Sequence, residues 1–445
     1  IKQVLKAEAG APGTILDHTF IDQYCAGFGA FATAIERTTW AEIEASSGVP
    51  RTLIEAAAQI YIEAERVVCS WGLGVTQHRN GTETVRELVN LMLLRGQIGR
   101  AGTGLCPMRG HSNILGIRSM GAGERMPEPF LSALEDATGL SIPRKPGWHA
   151  VEAIRAMQSG RARALLCLGG NLAASAPDSS ATESALRSTD LSVQVSTTLN
   201  RSHAHPGRTA VILPCLARSE RELIAGRPQS ALIEDMAGGV HSSQGPLPPI
   251  DSRLRGETRI IAELGAALFG QRSPVPWTEY AEDYTAVRQL IGKVVAGYRD
   301  AAGWGNARAG AVLPNPIRER RFGGSGGRAR FAANPLPETD DRGQDALRLM
   351  TIRSHDQFNT CIQDANDRYR GLRGARRAVL LNPEDMRRLA ISPTQRVWLR
   401  PVQTASTRTE EAFLAVPYPI PQGCAAAYFP EANRITDLDA LDRST

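Results

Sequence analysis

Clustered cysteines are absent from this 445-residue chain: Cys25, Cys69, Cys106, Cys167, Cys215, Cys361 and Cys424 are dispersed, with none within four positions of another. Zinc ribbons and ferredoxin-type cluster motifs need short Cys spacings, so no local motif of either kind is built here. An odd, scattered count also speaks against a disulfide framework and for reduced thiols in a cytoplasmic protein, each expected to pack in the interior. Long apolar runs are missing too. No stretch reaches the ~18 residues of a spanning helix, and no basic segment with an apolar core and small-residue cleavage site opens the chain. Lysine is scarce beside arginine, and the net charge is +5. No helix-turn-helix, zinc-finger or aromatic ribonucleoprotein pattern accompanies that charge, so nucleic acid is not an expected partner. His203, His205 and His241 lack helical i, i+3 or i, i+4 partners, which argues against a zinc site.

What is present is ordinary globular composition, 42% hydrophobic and 22% charged, over a length that suits about three domains of ~150 residues. The segment from Trp71 to Gly121 carries the most information. Two glycine-rich polar loops flank one amphipathic helix, and the second loop presents Arg109, His111, Ser112 and Asn113 together. Glycine lets backbone N–H groups approach an anion closely, and imidazole, amide and guanidinium donors suit a polyanionic, heteroatom-rich ligand.

Around this segment the pattern predicts a helix start over residues 17–24, two helices over 39–62, and a strand over 67–71 that opens a parallel α/β unit. The apolar run Ala162 to Leu168 predicts a strand buried on both faces of a parallel sheet, leaving through Gly169, Gly170 and Asn171. A strand over Leu191 to Ser196 leaves through Thr197 to His203, and a third covers Val211 to Pro214. Strand exits loaded with Asn, Thr, Ser and Arg suit a nucleotide-like ligand lying across a switch point. Residues 297–345 read as a Gly-, Arg- and Pro-rich connector or ordered crossover. Beyond them lies a mostly β region with strands over 347–352, 378–381, 396–401 and 412–416, a helix at 383–389 and a short helical stretch near 365–369.

These residues carry a family resemblance. Gly74-Val75-Thr76-Gln77-His78, Leu93-Leu94-Arg95-Gly96-Gln97-Ile98-Gly99-Arg100 and Pro107-Met108-Arg109-Gly110-His111-Ser112-Asn113 follow one another as in the large catalytic subunit of molybdopterin oxidoreductases, in the formate-dehydrogenase-like branch. Gly169, Gly170 and Asn171, then Thr198, Asn200, Ser202 and His203, then Leu213-Pro214-Cys215 with Arg218 and Glu220, match further motifs, although Leu172 stands where proline is frequent. Arg353-Ser354-His355-Asp356-Gln357-Phe358-Asn359-Thr360, Asp367-Arg368-Tyr369-Arg370-Gly371 and the terminal stretch with Tyr428 and Asn433 resemble the C-terminal part. There the usual Gly-x-x-x-Gly-Asp turn is replaced by Ala390-Ile391-Ser392-Pro393-Thr394-Gln395, so that turn is expected to be built differently.

The resemblance implies an α/β protein with Rossmann-like parallel sheet domains followed by a C-terminal double-psi β-barrel. The expected divisions are a partial α/β domain at 1–108, a cofactor-binding α/β domain at 109–296, the connector at 297–345 and the barrel at 346–445. It implies two-electron chemistry at molybdenum held by two molybdopterin guanine dinucleotides, with electrons passing to a 4Fe-4S cluster. The chain aligns with the later half to two-thirds of a family member, so the cluster cysteines and metal ligand are expected outside it, and the fragment alone is expected to be inactive. Arg109 is implied as an anionic-substrate anchor and His111 as a proton relay. Implied cofactor contacts are Gly74, Thr76, Gln77, His78, Gly110, Ser112, Asn113, Gly169, Gly170, Asn171, Thr198, Asn200, Ser202, His203, Arg353, Gln357, Asn359, Thr360, Tyr428 and Asn433. A small-molecule substrate and a redox partner protein complete the expectation. The competing readings are a non-catalytic scaffold of the same fold and a nicotinamide-dependent enzyme, the latter disfavoured because no Gly-x-Gly-x-x-Gly follows the first strand.

Overall fold

A computed structural model describes residues 1–305, 310–337, 345–402 and 412–439. The N-terminal third packs the helices Lys2–Gly10, His18–Tyr24, Phe28–Arg37, Trp40–Ser47 and Arg51–Glu63 beside two parallel strands, Val68–Trp71 and Gly104–Pro107. Local chemistry sets several of these ends. Asp17 caps the second helix by accepting from the Phe20 N–H, and Thr39 with Glu42 forms a capping box. The helix Gly81–Leu94 joins the two strands and drives Met92, Leu93 and Leu94 fully into a core with Phe20, Phe31 and Phe331. Each such side chain contributes about 1.5–3 kcal/mol of burial.

Phe331 comes from the connector expected at 297–345. Its described part is built into this core: Ala329–Arg330 pairs in parallel with Cys25–Ala26, and Asn90 exchanges hydrogen bonds with the backbone of Ala332.

The middle of the chain forms a three-stranded parallel sheet, Ala164–Leu168, Leu191–Ser196 and Thr209–Pro214, in that spatial order. The helices Ala150–Gln158 and Ser179–Arg187 cover one face, where Leu165 meets Ile154, Met157 and Leu186. The expectation of a first strand buried on both faces is corrected here. Leu166 and Leu168 keep 46% and 51% of their surface exposed. The reason is geometric: register aligns Leu166, Val193 and Val211 on the opposite face, and the helix Glu257–Phe269 approaches it without closing a ≈ 590 Å³ cavity. A separate antiparallel group, Ala231–Glu234, Gly239–Ser243 and Ala311–Val312, packs against Tyr298 and Ala301.

The C-terminal region is a five-stranded mixed sheet in the order Arg348–Ile352, Cys424–Tyr428, Ala378–Leu381, Phe413–Pro417, Arg396–Val397. Its central strand, Ala378–Leu381, is buried throughout, with Val379 and Leu381 in one cluster and Leu380 in another. Asn382 caps the following helix, Pro383–Arg388, by accepting from the Glu384 N–H. Two expectations change. Residues 365–369 form no helix but a turn closed by the Asp367–Leu372 bridge, because Asp367 accepts from the N–H groups of Tyr369 and Arg370 and Gly371 takes φ +72°. The Ala390 to Gln395 turn bends through left-handed residues at Ala390 (φ 53°) and Thr394 (φ 65°), the two positions where the usual motif carries glycine. The parallel α/β sheets and the mixed C-terminal sheet give the α/β class expected from the sequence.

Candidate functional site

The two parallel strands Val68–Trp71 and Gly104–Pro107 end side by side, and the Met108 N–H continues the pairing by donating to the Trp71 carbonyl. Their exit loops are therefore neighbours. The first winds into the short helix Leu73–Thr76, which holds Gly74 and Thr76 and leads into exposed Gln77 and His78. His78 Nδ1 accepts from the Asn80 N–H. The second loop carries exposed Arg109, Gly110, His111 and Ser112. A Cβ on Gly110 would lie 3.7 Å from Leu73 Cδ1, so the loops touch there. Arg109 has no hydrogen-bond or ion-pair partner among the described residues and stands open to solvent.

Asn113, although part of the same motif, turns inward. Its Oδ1 accepts from the Glu234 N–H, while the buried Glu234 carboxylate accepts from Ser119 and from Tyr298. Asn113 and Glu234 thus anchor the loop's base to the antiparallel strands, a role the sequence motif does not reveal.

The loop's tip meets the C-terminal region. The His111 ring lies 5.1 Å from the ring of Phe358, edge to face, a favoured aromatic geometry. Phe358 belongs to a hairpin of Gln357–Phe358 with Cys361–Ile362, whose connecting Asn359 adopts φ 50°. Gln357 fixes this segment: its Nε2 donates to the carbonyls of Asn359 and Phe429, and its Oε1 accepts from the Ser354 N–H. The Arg353 guanidinium lies 4.9 Å from the Phe429 ring centre. Thr360, after the hairpin turn, is half-buried.

Tyr428, expected to face the cofactor, is buried at 1% exposure and donates its hydroxyl to Asp367. Burial alone would raise the Asp367 carboxyl, but hydrogen bonds from Arg370 and Tyr428 outweigh it and hold the group below the ordinary carboxylate range. Arg376, absent from the sequence-level set, is another organising residue; nothing in its local sequence sets it apart from its neighbour Arg377.

The second group of expected residues lies at the exits of the three-stranded sheet. Gly169 and Gly170 take φ +64° and +80°, conformations side chains rarely adopt; a Cβ on Gly169 would meet only Glu257 Oε1, at 4.0 Å, and the Gly169 N–H donates to the Val195 carbonyl. Asn200 braces the loops, donating from Nδ2 to the Gly170 carbonyl and accepting from the Ser202 N–H. Ser202 Oγ accepts from the Ala173 N–H and bonds Asn171 Oδ1. The Thr198 carbonyl accepts from Ser196. These polar side chains hold the exits to one another. His203 differs: Nδ1 accepts from the Asn200 N–H, which leaves the proton of a neutral ring on Nε2, and that nitrogen is buried with no partner among the described residues. Asn433 joins this group to the C-terminal region, donating to the carbonyls of Ala174, Ser175 and Ala176.

The expected residues therefore form two linked sets, bridged by the 428–433 segment. The ≈ 590 Å³ apolar cavity, lined by Leu166, Val193, Leu213, Pro214 and Leu264 among others, touches the matched Leu213-Pro214-Cys215 motif but includes none of the implied cofactor contacts. The described residues contain no group of three or more His, Cys, Asp or Glu side chains placed to hold a metal.

A model of the family described as molybdopterin oxidoreductase matches residues 17–249. This chain belongs to the molybdopterin oxidoreductase family. It is 42% identical over 445 residues to an uncharacterized oxidoreductase of Mycobacterium tuberculosis, a match covering 98% of this chain and 57% of that protein. Protein YdeP of Escherichia coli is 36% identical over 439 residues, covering 98% of this chain and 58% of YdeP. A putative formate dehydrogenase, YrhE of Bacillus subtilis, is 26% identical over 214 residues, covering 46% of this chain and 22% of YrhE. The chain thus spans somewhat more than half the length of the first two relatives. In fold it is similar to acetylene hydratase from Pelobacter acetylenicus, with TM-score 0.63 and 14% identity over 97% of this chain and 64% of that one. For this family member a molybdenum–pterin cofactor follows. The residues present fit such a group: among the described residues the buried His203 Nε2 has no partner, Gly169 and Gly170 take left-handed backbone with no Cβ at the strand exit, and Arg109 on its exposed loop is unpaired.

Proposed function

We propose that this family member works in a molybdenum-dependent two-electron oxidoreductase, formate-dehydrogenase-like, acting on a small anionic substrate. The observation that carries the reading is the His111–Phe358 contact, which brings the Arg109 loop against the 353–362 hairpin from a different part of the fold. The cofactor proposed is molybdenum with two molybdopterin guanine dinucleotides, and it supplies the redox chemistry when bound. The reading includes a 4Fe-4S cluster and a redox partner protein, which would accept the two electrons. The reading also assigns a cytoplasmic location; no helix among the described residues is long and apolar enough to cross a membrane.

Within the chain, Gly74, Thr76, Gln77, His78, Gly110 and Ser112 would hold one part of the cofactor. Gly169, Gly170, Asn171, Thr198, Asn200, Ser202 and His203 would hold another, with Arg353, Gln357, Asn359, Thr360 and Asn433 closing over it. The Arg109 guanidinium, exposed and without a partner among the described residues, presents a planar fork to a carboxylate. Formate so held loses two electrons and one proton to leave as carbon dioxide, and His111 takes up the proton. Fixed positive charge at the carboxylate orients the substrate and stabilises charge as the C–H bond breaks.

The deciding experiment is a chimera in which this chain replaces the matching part of the Mycobacterium tuberculosis relative. Purified chimera carrying molybdenum and pterin and reducing a dye with formate supports the reading. A folded chimera without pterin overturns it in favour of a non-catalytic scaffold.

A further inference from the structure

Arg376 lies outside every motif named above, yet its guanidinium reaches two segments at once. Nε and Nη2 donate to the Glu431 carboxylate at 2.9 and 3.0 Å. Nη1 donates to Ser354 Oγ at 2.8 Å, and Nη2 also reaches Gln357 Oε1 at 2.9 Å and the Phe429 carbonyl at 2.8 Å. The guanidinium carbon sits 4.8 Å from the Tyr428 ring centre. The side chains of Arg376 and Glu431 are only 13% and 16% exposed, so their charges are largely withdrawn from water and face each other.

The contacts follow a pattern. Glu431 and Phe429 sit just beyond the Cys424–Tyr428 strand, whereas Ser354 and Gln357 belong to the loop leading into the Phe358 hairpin. Gln357 is the shared element, because its Oε1 takes hydrogen bonds from Arg376 and Ser354 while its Nε2 holds Asn359. One rigid fork thus fixes the amide that fixes the hairpin tip. A lysine could neutralise Glu431 but could not hold this set at once, because its ammonium is a single point on a flexible stem.

We infer that Arg376 is a positioning residue that sets the shape of the 353–360 loop and thereby holds Phe358 against His111. The consequence for cofactor retention rests on the pterin reading above; the consequence for the loop does not. With the fork intact, the hairpin tip and the Arg109 loop keep one relative placement. Without it, residues 353–360 open independently of the sheet beneath them.

Hydrogen exchange read by mass spectrometry on the 445-residue chain tests this with two variants. Arg376→Lys keeps a charge against Glu431 and removes the fork. The single variant Ser354→Ala removes the Nη1 acceptor on the loop side and leaves Gln357 and the Arg376–Glu431 pair in place, so it guards against a failure of Arg376→Lys to fold. The expected result is exchange about tenfold faster across residues 353–360, with the Ala378–Leu381 and Cys424–Tyr428 strands unchanged. Unchanged loop exchange in both variants overturns the inference, as does equal acceleration in the loop and those strands, which would make Arg376 a core residue and no more. Pterin content in the chimera bearing the same substitutions is the second readout. A selective loop effect with pterin loss supports the inference in full, and a chimera that holds no pterin before substitution sinks the cofactor reading while the exchange data still decide the loop.

Discussion

The Asn433 side-chain amide donates to the Ala174 carbonyl at 3.0 Å, fastening the end of the C-terminal region to the short helix Leu172–Ser175 directly after the Gly169–Asn171 exit. Both groups are buried there. Replacing Asn433 by Leu leaves the carbonyls of that helix without their donor. Stability should fall by about 1–3 kcal/mol, read as a lower urea midpoint with little change in slope.

Substrate anchoring gives a second expectation. In the chimera, Arg109→Lys keeps the charge and loses the bidentate fork, so formate-dependent dye reduction should fall by roughly a hundredfold. Pterin content should be unchanged. Equal turnover in the two proteins would place Arg109 outside the reacting site.

Acid sensitivity has a traceable source in the N-terminal helices. Glu8 accepts from the N–H groups of Gly13, Ile15 and Leu16 and from His18. Burial works to raise its carboxyl, but these donors outweigh it and hold the group down to about 2, against an ordinary 4.5. The folded state therefore binds fewer protons than the unfolded one between those values. Its contribution is fully present above pH 4.5 and is lost as pH falls toward 2. Glu8→Gln should be less stable than the parent at pH 7 by about 1–3 kcal/mol, with the difference shrinking as denaturation is repeated at falling pH. A gap that stays constant with pH would exclude Glu8 as the source.

The Ala390 to Gln395 turn offers a gain. Thr394 holds φ 65° with a β-branched side chain, a conformation costly for β-branched residues and free of that cost for glycine. Thr394→Gly should raise stability by roughly 0.5–1 kcal/mol after the extra flexibility of glycine is subtracted. Thermal unfolding of the single variant suffices to check the sign.

Thiol chemistry separates the cysteines. Burial pushes the thiols of Cys25 and Cys215 up to about 11, which leaves little thiolate at neutral pH. Cys361 is exposed on the Phe358 hairpin, against the expectation that each cysteine packs inside. A small alkylating reagent at pH 8 should modify Cys361 first, as peptide mapping would show. Modification of Cys25 ahead of it would mean the N-terminal core opens.

The strand exits were legible in the sequence because an apolar run ending in Gly-Gly-Asn states both the strand and its sharp exit in adjacent residues. The NPED helix start was legible for the same reason, since Asn382 caps a bond two residues away. Arg376 and Glu431 were not, because their pairing depends on two segments meeting in space, and one arginine in Gly-Ala-Arg-Arg looks like the next. Asn113 and Tyr428 stood inside recognisable motifs, but a motif gives the residue type and not the direction of the side chain. The misread helix at 365–369 has a local cause, since Asp367 bonds backbone amides in a turn as readily as in a helix start.

The parallel sheet of Ala164–Leu168, Leu191–Ser196 and Thr209–Pro214 bears on how the chain behaves in concentrated solution. Its two outer strands pair on one side only among the described residues, and Leu166, Leu168, Val211 and Ile212 meet water. Such a margin is adhesive: backbone groups and apolar side chains on one short stretch can recruit the same stretch of another molecule. Colloidal attraction, seen as a light-scattering second virial coefficient that falls below zero, should therefore appear well before unfolding, and Val211→Lys should relieve it without touching either set of site residues.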